Sequence, residues 1–365
     1  MSDLDVTARA VVFDGVDGDL RPASVGVTAP GPTEVTVRIT ASGVCHTDRH
    51  VIAGGLPVEV PCVLGHEGAG VVEAVGPAVG DLSPGDTVVL IAAPVCGRCW
   101  FCVRGEGHNC AQGDHFRAQR HFVVDGKPVS GFAGLGTFAE RVTLDQASVV
   151  RVDTDLPAEH LALIGCGVIT GVGAVLTSPV RAGSSVVVLG CGGVGLSVVQ
   201  GARIAGAEQI VAVDPLPSKR DAALALGATV AVDPTADDVA DVVRLHTGGR
   251  GADVAFEAIG SVATVVQGVH ATRMGGTTYM IGVPEPTEFA GLSALDVLLG
   301  RKTLVGSIYG GGDPRRMIPT IVGLAESGRL DLDRMVTRRI GLDDVKEAMD
   351  AMDRGEVVRS VITFA

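Results

Sequence analysis

The chain has 365 residues, more than one small core needs, so two domains are expected. Apolar residues make up 46% and charged residues 19%, which excludes a disordered chain. A net charge of −13 argues against a nucleic-acid backbone or an anionic membrane surface as a general partner. Only 3% of residues are aromatic while 51 are glycine, a balance that suits aliphatic cores joined by many tight turns. The acidic start Met1-Ser2-Asp3-Leu4-Asp5 lacks the basic and apolar segments of a secretory signal. The most apolar run, residues 186–199, is broken by glycines and too short to span a bilayer. A cytoplasmic protein is expected, and there cysteines more often mean metal ligands or free thiols than disulfides.

The first third alternates apolar and polar residues over 34–40, 70–76 and 86–91, each bounded by glycine or proline, which predicts a mostly antiparallel, barrel-like β unit. Between these segments lie Gly43-Val44-Cys45-His46-Thr47-Asp48 and Gly65-His66-Glu67-Gly68. Residues 96–136 then form a long, polar, glycine-rich excursion without periodicity, and a loop of that length needs a reason to be ordered. Cys96, Cys99, Cys102 and Cys110 supply one: four thiolates at this spacing close a tetrahedral Zn²⁺ shell with no position left for chemistry. An iron–sulfur cluster uses the same donors, and four unpaired cysteines are the plain alternative.

Cys166 follows in Ile164-Gly165-Cys166-Gly167-Val168. Cys45, His66 and Cys166 are a candidate three-ligand zinc shell with a fourth place for water or substrate, although their spacing does not establish that they meet. Cys62 and Cys191 read as apolar or turn positions. From residue 185 the pattern changes to strands alternating with helices: strands at 185–189, 209–214, 228–232, 252–257 and 276–282, helices at 196–206 and 219–226. This predicts a parallel, doubly wound sheet.

Leu189-Gly190-Cys191-Gly192-Gly193-Val194-Gly195 joins the first of these strands to its helix, and Asp214 ends the next strand. Glycine backbone there admits a pyrophosphate to a helix N-terminus, and the acid accepts hydrogen bonds from the adenosine ribose. Asp214 would repel a 2′-phosphate, which favours NAD over NADP, although Lys219 and Arg220 lie nearby. A helix at 342–354 and a strand at 357–364 close the chain and are expected to rejoin the first unit.

Taken together, these motifs, with Gly65-His66-Glu67-Gly68-Ala69-Gly70-Val71-Val72 and the ending Arg359-Ser360-Val361-Ile362-Thr363-Phe364, resemble the zinc-dependent alcohol dehydrogenases of the medium-chain dehydrogenase/reductase family over nearly the whole chain. The resemblance implies an α/β protein with a GroES-like, β-rich catalytic domain at 1–167 and 309–365, including a structural zinc lobe at 96–110, and a Rossmann doubly wound parallel sheet at 168–308. It implies two Zn²⁺ per chain, the catalytic one held by Cys45, His66 and Cys166 with Glu67 beside it and Asp48 orienting His66. It implies a proton path from Thr47 through the nicotinamide ribose to His50, and a substrate pocket at Thr47, Ala92, Phe132 and Ala133. For NAD it implies His46 and Arg359 near the pyrophosphate, Lys219 near the ribose, Thr170, Val283 and Ile308 toward the nicotinamide, and Ile259 as a further coenzyme-binding residue. His46 stands where relatives carry arginine, and a partly charged imidazole holds phosphates more weakly. The small Ala92 suggests alcohols bulkier than ethanol, such as benzylic, terpenoid or medium-chain ones. The alternatives are a thiol-dependent formaldehyde dehydrogenase, disfavoured by the few basic groups in residues 51–61, and an inactive zinc-stabilised binding protein. A homodimer or homotetramer is implied, with residues 303–308 pairing across a two-fold axis.

Overall fold

The computed structural model describes residues 4–16 and 20–364 of the chain. Its N-terminal part is built from β1 (Leu4–Phe13), β2 (Leu20–Thr28), β3 (Glu34–Gly43), β4 (Cys62–Val63), β5 (Glu67–Val75), β6 (Thr87–Leu90), β7 (Phe122–Val124), β8 (Lys127–Gly131), β9 (Arg141–Asp145) and β10 (Val149–Arg151). Strands β1-β2-β7-β8-β4 close a barrel, and β10-β6-β5-β3 form part of a second sheet in which β9 also pairs with β3. Alternate residues of β3 explain the packing: Val35, Val37 and Ile39 enter one core with Val72, Leu90, Val142 and Leu144.

The excursion expected to lack regular structure is partly regular. It contains a short helix at Gly113–Arg117 and the β7–β8 hairpin. The signal was present: Asp125-Gly126 sits between Phe122-Val123-Val124 and the next strand, and both turn residues take positive φ, 51° and 76°. Asp-Gly between apolar runs is a strong two-residue hairpin signature.

The second part carries β11 (Ser185–Leu189), β12 (Gln209–Val213), β13 (Val230–Val232), β14 (Ala252–Glu257), β15 (Thr272–Met280) and β16 (Thr303–Gly306), a parallel sheet in the order β13-β12-β11-β14-β15-β16. Near-continuous apolar runs such as Val186-Val187-Val188-Leu189 are what a sheet covered on both faces requires. Helices at Gly193–Ile204 and Pro217–Leu226 match the expected positions, and Val239–His246 and Val262–Ala271 add cover that the periodicity did not reveal. The order reverses at β11, so the carboxyl ends of β11 and β14 flank the switch point where such sheets bind ligands.

The chain then returns through β17 (Val336–Ile340) and β18 (Arg359–Thr363), the latter antiparallel to β3 with Val361 opposite Gly43. The helix Val345–Asp353 buries Val345, Ala348 and Met349 against Val11, Phe13 and Leu64. Two units result: residues through Gly167 with Gly312–Glu326 and 332 onward, and Val168–Gly311 with Ser327–Asp331. Residues 309–311 and 327–331 thus fall in the second unit, not in the first as the family resemblance implies. The reason is local bonding. Thr177 donates to the Gly310 carbonyl at 3.0 Å, and the Gln200 side chain exchanges two hydrogen bonds with the backbone of Asp331, at 2.7 and 3.1 Å.

One helical stretch, Ala158–Leu176, is long and apolar enough by length and composition to cross a membrane, yet 78% of its apolar window is buried inside the protein. Its composition serves core packing.

Candidate active site

Cys45 is the N-cap of the helix His46–Ile52, and His66 ends the turn that leads into β5. Asp48, fully buried at the third position of that helix, ties the two together. Its carboxylate accepts from the Gly65 N–H at 3.1 Å, lies 3.2 Å from His66 Nδ1 and also accepts from the Cys45 N–H at 3.4 Å. With Nδ1 turned to Asp48, Nε2 is the ring nitrogen left to act as a ligand, and it is buried without a hydrogen-bond partner. Cys166 arrives on a π-helical turn, Ile164–Val168, the kind of helix irregularity found at functional sites.

Donor atoms of Cys45, His66, Glu67 and Cys166 all lie within 4.8 Å of one another. Two thiols, one imidazole nitrogen and an adjacent carboxylate form a donor set suited to zinc, and two unpartnered buried atoms, His66 Nε2 and Glu67 Oε1, are what a site shaped for a cation leaves behind. The hydrogen bond from Cys166 holds the Cys45 thiol well below its ordinary value, outweighing burial, with His66 adding to it. The same bond pushes the Cys166 thiol up. Burial alone would lower His66, but Asp48 and Cys45 reverse that and raise it. Burial also lifts Glu67 to about 7, against the pull of Arg359.

Arg359 is 5% exposed; its Nη2 donates to Glu67 Oε2 and, at 3.1 Å, to the Val44 carbonyl. The structure therefore pairs this residue, expected near a pyrophosphate, with the carboxylate beside the thiols. Nothing in the spacing of the two residues signals that pairing. Gly43 makes it possible, since a Cβ there would overlap Glu67 Oε2. Asp48→Asn keeps the shape but loses the charge that fixes the imidazole, and is expected to weaken metal affinity about 10–100-fold in a chelator competition. An unchanged affinity would remove Asp48 from its orienting role.

Thr47 Oγ1 lies 3.6 Å from Cys45 Sγ, and His50 stands one turn further along the same helix. Phe132 meets His66 edge-on, ring centroids 5.3 Å apart at 87°, and so walls the site. Its neighbour Ala133 takes φ 56°, a left-handed conformation uncommon for a residue with a side chain. Ala92 packs partly buried against the barrel-side core. His46, the first residue of its helix, is exposed.

The second cluster, Cys96, Cys99, Cys102 and Cys110, also brings its sulfur atoms within 4.8 Å, and none of the chain's eight cysteines is in a disulfide. Backbone N–H groups point at sulfur: Cys96 N–H to Cys110 and Cys99 N–H to Cys96, both at 3.3 Å. Backbone hydrogen bonds from Cys102 and Ala111 bring the Cys99 thiol down to about 6, whereas burial lifts Cys102 to about 12. Such donors stabilise thiolates and suit a closed metal shell.

In the second unit the glycine loop connects β11 to the helix Gly193–Ile204, and a Cβ on Gly195 would overlap the Gly190 carbonyl oxygen, so the helix sits against the turn only because that residue is glycine. Asp214 accepts from the Cys191 N–H and the Leu216 N–H, both at 2.9 Å, which fixes its carboxylate beside the loop. Lys219 is buried, and Thr170 lies on the helix Ile169–Leu176. Ile259, Val283 and Ile308 follow β14, β15 and β16 and are 50%, 46% and 73% exposed, an apolar edge at the carboxyl ends of the sheet.

A nucleotide-type parallel sheet and a β unit with two sulfur-rich donor sets define a metal-dependent, dinucleotide-linked oxidoreductase. Residues 31–154 match the alcohol dehydrogenase GroES-like domain, and residues 193–327 match the zinc-binding dehydrogenase domain. Geraniol dehydrogenase of Castellaniella defragrans is 38% identical over 98% of this chain and 98% of its own length. The crystal structure of benzyl alcohol dehydrogenase from Acinetobacter calcoaceticus superposes with a TM-score of 0.93 at 33% identity, covering 99% of this chain and 100% of that one. A zinc-binding dehydrogenase from Sinorhizobium meliloti 1021 bound to NADP gives a TM-score of 0.82 at 30% identity, covering 99% and 100%. The chain belongs to the zinc-binding alcohol dehydrogenase family of medium-chain dehydrogenases/reductases. It is an alcohol oxidoreductase that uses zinc and a nicotinamide coenzyme.

Proposed function

We propose that the protein oxidises primary or secondary alcohols bulkier than ethanol with NAD, giving an aldehyde or ketone, and holds two zinc ions per chain. The observation that carries the reading is the convergence of Cys45, His66, Glu67 and Cys166 around unpartnered buried atoms. Cys45, His66 and Cys166 would hold one zinc at the site of the chemistry, and Cys96, Cys99, Cys102 and Cys110 would hold the other as a structural ion. When bound, zinc supplies Lewis acidity toward the substrate oxygen, and NAD supplies the hydride acceptor.

The chain's own residues do the rest. Asp48 keeps the imidazole in one tautomer and aim. Thr47 Oγ1 accepts the proton that the alcohol gives up as it passes its own hydroxyl proton on toward His50, which releases it to solvent. Phe132 covers the metal ligand and keeps water from that side. Arg359 neutralises Glu67 beside the thiols.

The small side chains of Ala92 and Ala133, with the ring of Phe132, support a roomy pocket, and the relatives named for geraniol and benzyl alcohol act on bulky alcohols. Ala92→Trp overpacks such a pocket by roughly 1–3 kcal/mol and is expected to lower kcat/KM for benzylic and terpenoid alcohols about tenfold, with small alcohols spared. A uniform loss across sizes removes the idea. The deciding experiment is a panel of alcohols with NAD, followed by NADH absorbance. No NADH from any alcohol overturns the reading, and formaldehyde turnover that needs a thiol transfers it to the thiol-dependent alternative.

A dimer or tetramer in the cytoplasm completes the proposal. Its support is the edge strand β16 with Leu304 exposed, the exposed Leu295, Leu298, Leu299 and Ile308, and eight cysteines none of which is in a disulfide.

A further inference from the structure

Coenzyme preference has a second determinant beyond Asp214, and the inference rests on the NAD reading above. Asp214 and Asp233 follow the adjacent parallel strands β12 and β13, and the Asp214 N–H donates to the Val232 carbonyl at 3.2 Å, joining the two turns. Arg220, on the helix Pro217–Leu226, reaches into this junction. Its Nη1 donates to the carbonyls of Asp214 and Pro215, at 2.8 and 2.9 Å, and lies 3.1 Å from Asp233 Oδ2. Asp233 is itself held: its Oδ1 accepts from the Thr235 N–H at 2.9 Å and from the Thr235 hydroxyl at 2.6 Å. The Arg220 side chain is 18% exposed and that of Asp233 27%, so water screens this pair less than an open surface pair.

A guanidinium beside the ribose-binding acid is the group that would receive a 2′-phosphate, because its planar donors match phosphate oxygens. Here its Nη1 is held between Asp233 and two carbonyls. Swinging the guanidinium onto a 2′-phosphate would pull Nη1 off these acceptors and give up the ion pair with Asp233. We propose that Asp233 tethers Arg220 and so withholds from NADP the one arginine that stands at the Asp214 turn. Asp214 repels the extra phosphate, and Asp233 disarms the residue that would attract it.

Asp233→Asn tests the tether, because the amide oxygen still accepts from Thr235 while the charge that holds Arg220 is gone. Dissociation constants of NADH and NADPH are read by nucleotide fluorescence on the full-length zinc-loaded enzyme. The expected result is a fall of about tenfold in the NADPH-to-NADH ratio of dissociation constants, one new charge-assisted contact, with NADH binding changed less than about twofold. Arg220→Ala in the Asp233→Asn background should cancel the gain. Arg220→Ala alone should leave the ratio within about twofold of wild type, since a tethered arginine gives NADP nothing.

Three results overturn the proposal: an unchanged ratio in Asp233→Asn, a gain that survives Arg220→Ala, or a large loss of NADPH binding in Arg220→Ala alone. The second would mean that removal of negative charge, not release of the arginine, does the work. Failure of the coenzyme reading looks different, since wild type would then bind NADH no better than NADPH, or neither.

Discussion

Cys166→Ala is expected to lower alcohol turnover by about 10³-fold or more and to remove one of two zinc ions per chain. The size follows from the role proposed for the site. Lewis-acid stabilisation of developing charge is worth several kcal/mol, and about 4 kcal/mol is a factor of ~10³ in rate. The substitution deletes one of two half-buried thiols and leaves Cys45 with His66 and Glu67, both buried and each carrying an atom without a partner. A second ligand does not replace the first, because Cys62 and Cys191 are held elsewhere, buried with their thiols pushed up to about 12. The measurements are steady-state turnover and metal content per chain. Full zinc content with wild-type turnover would sink the assignment of this cluster as the catalytic centre.

The second large effect belongs to the other sulfur cluster and is of a different kind. Cys99→Ser should remove the other zinc and cost several kcal/mol of stability, because a closed metal shell contributes its binding energy to folding. For a unit of this size a loss of about 3 kcal/mol corresponds to a fall of roughly 6–12 °C in Tm. Trp100, the chain's single tryptophan, lies between Cys99 and Cys102 with the Arg104 guanidinium 4.5 Å from its ring centroid, so it reports locally. Its emission should shift on metal removal from wild type and already be shifted in Cys99→Ser. Turnover at low temperature per folded molecule should stay within a few-fold of wild type. An unchanged Tm with zinc retained would mean that four thiols here hold no metal. The two substitutions thus separate chemistry from scaffold: one removes rate with modest loss of stability, the other the reverse.

Much of this protein was legible as pattern. The four-cysteine spacing lies within a short segment, so the geometry that gathers those thiols is local and survives in the linear chain. The glycine loop is equally local: strand, turn and helix are contiguous, and Asp214 needs only the adjacent strand to reach Cys191. Alternation of apolar residues gave β3, β5 and β6 because each has one face in the barrel-side core.

Other features depend on contacts between distant segments. The residues Cys45, His66 and Cys166 meet because β3, β5 and the helical stretch near Cys166 converge; nothing in their individual neighbourhoods requires it, and likeness to a family was what joined them beforehand. Arg359 pairs with Glu67 because β18 aligns antiparallel with β3, which in turn pairs with β5. Arg220 is bound to Asp233 because parallel pairing brings two successive strand ends together. Local propensity and short spacing are properties of neighbouring residues, so composition, the lobe and the dinucleotide loop could be read from the chain alone. Which charge neutralises which, and which nitrogen of His66 is left bare, is set by sheet register and burial, and those exist only once remote segments have packed.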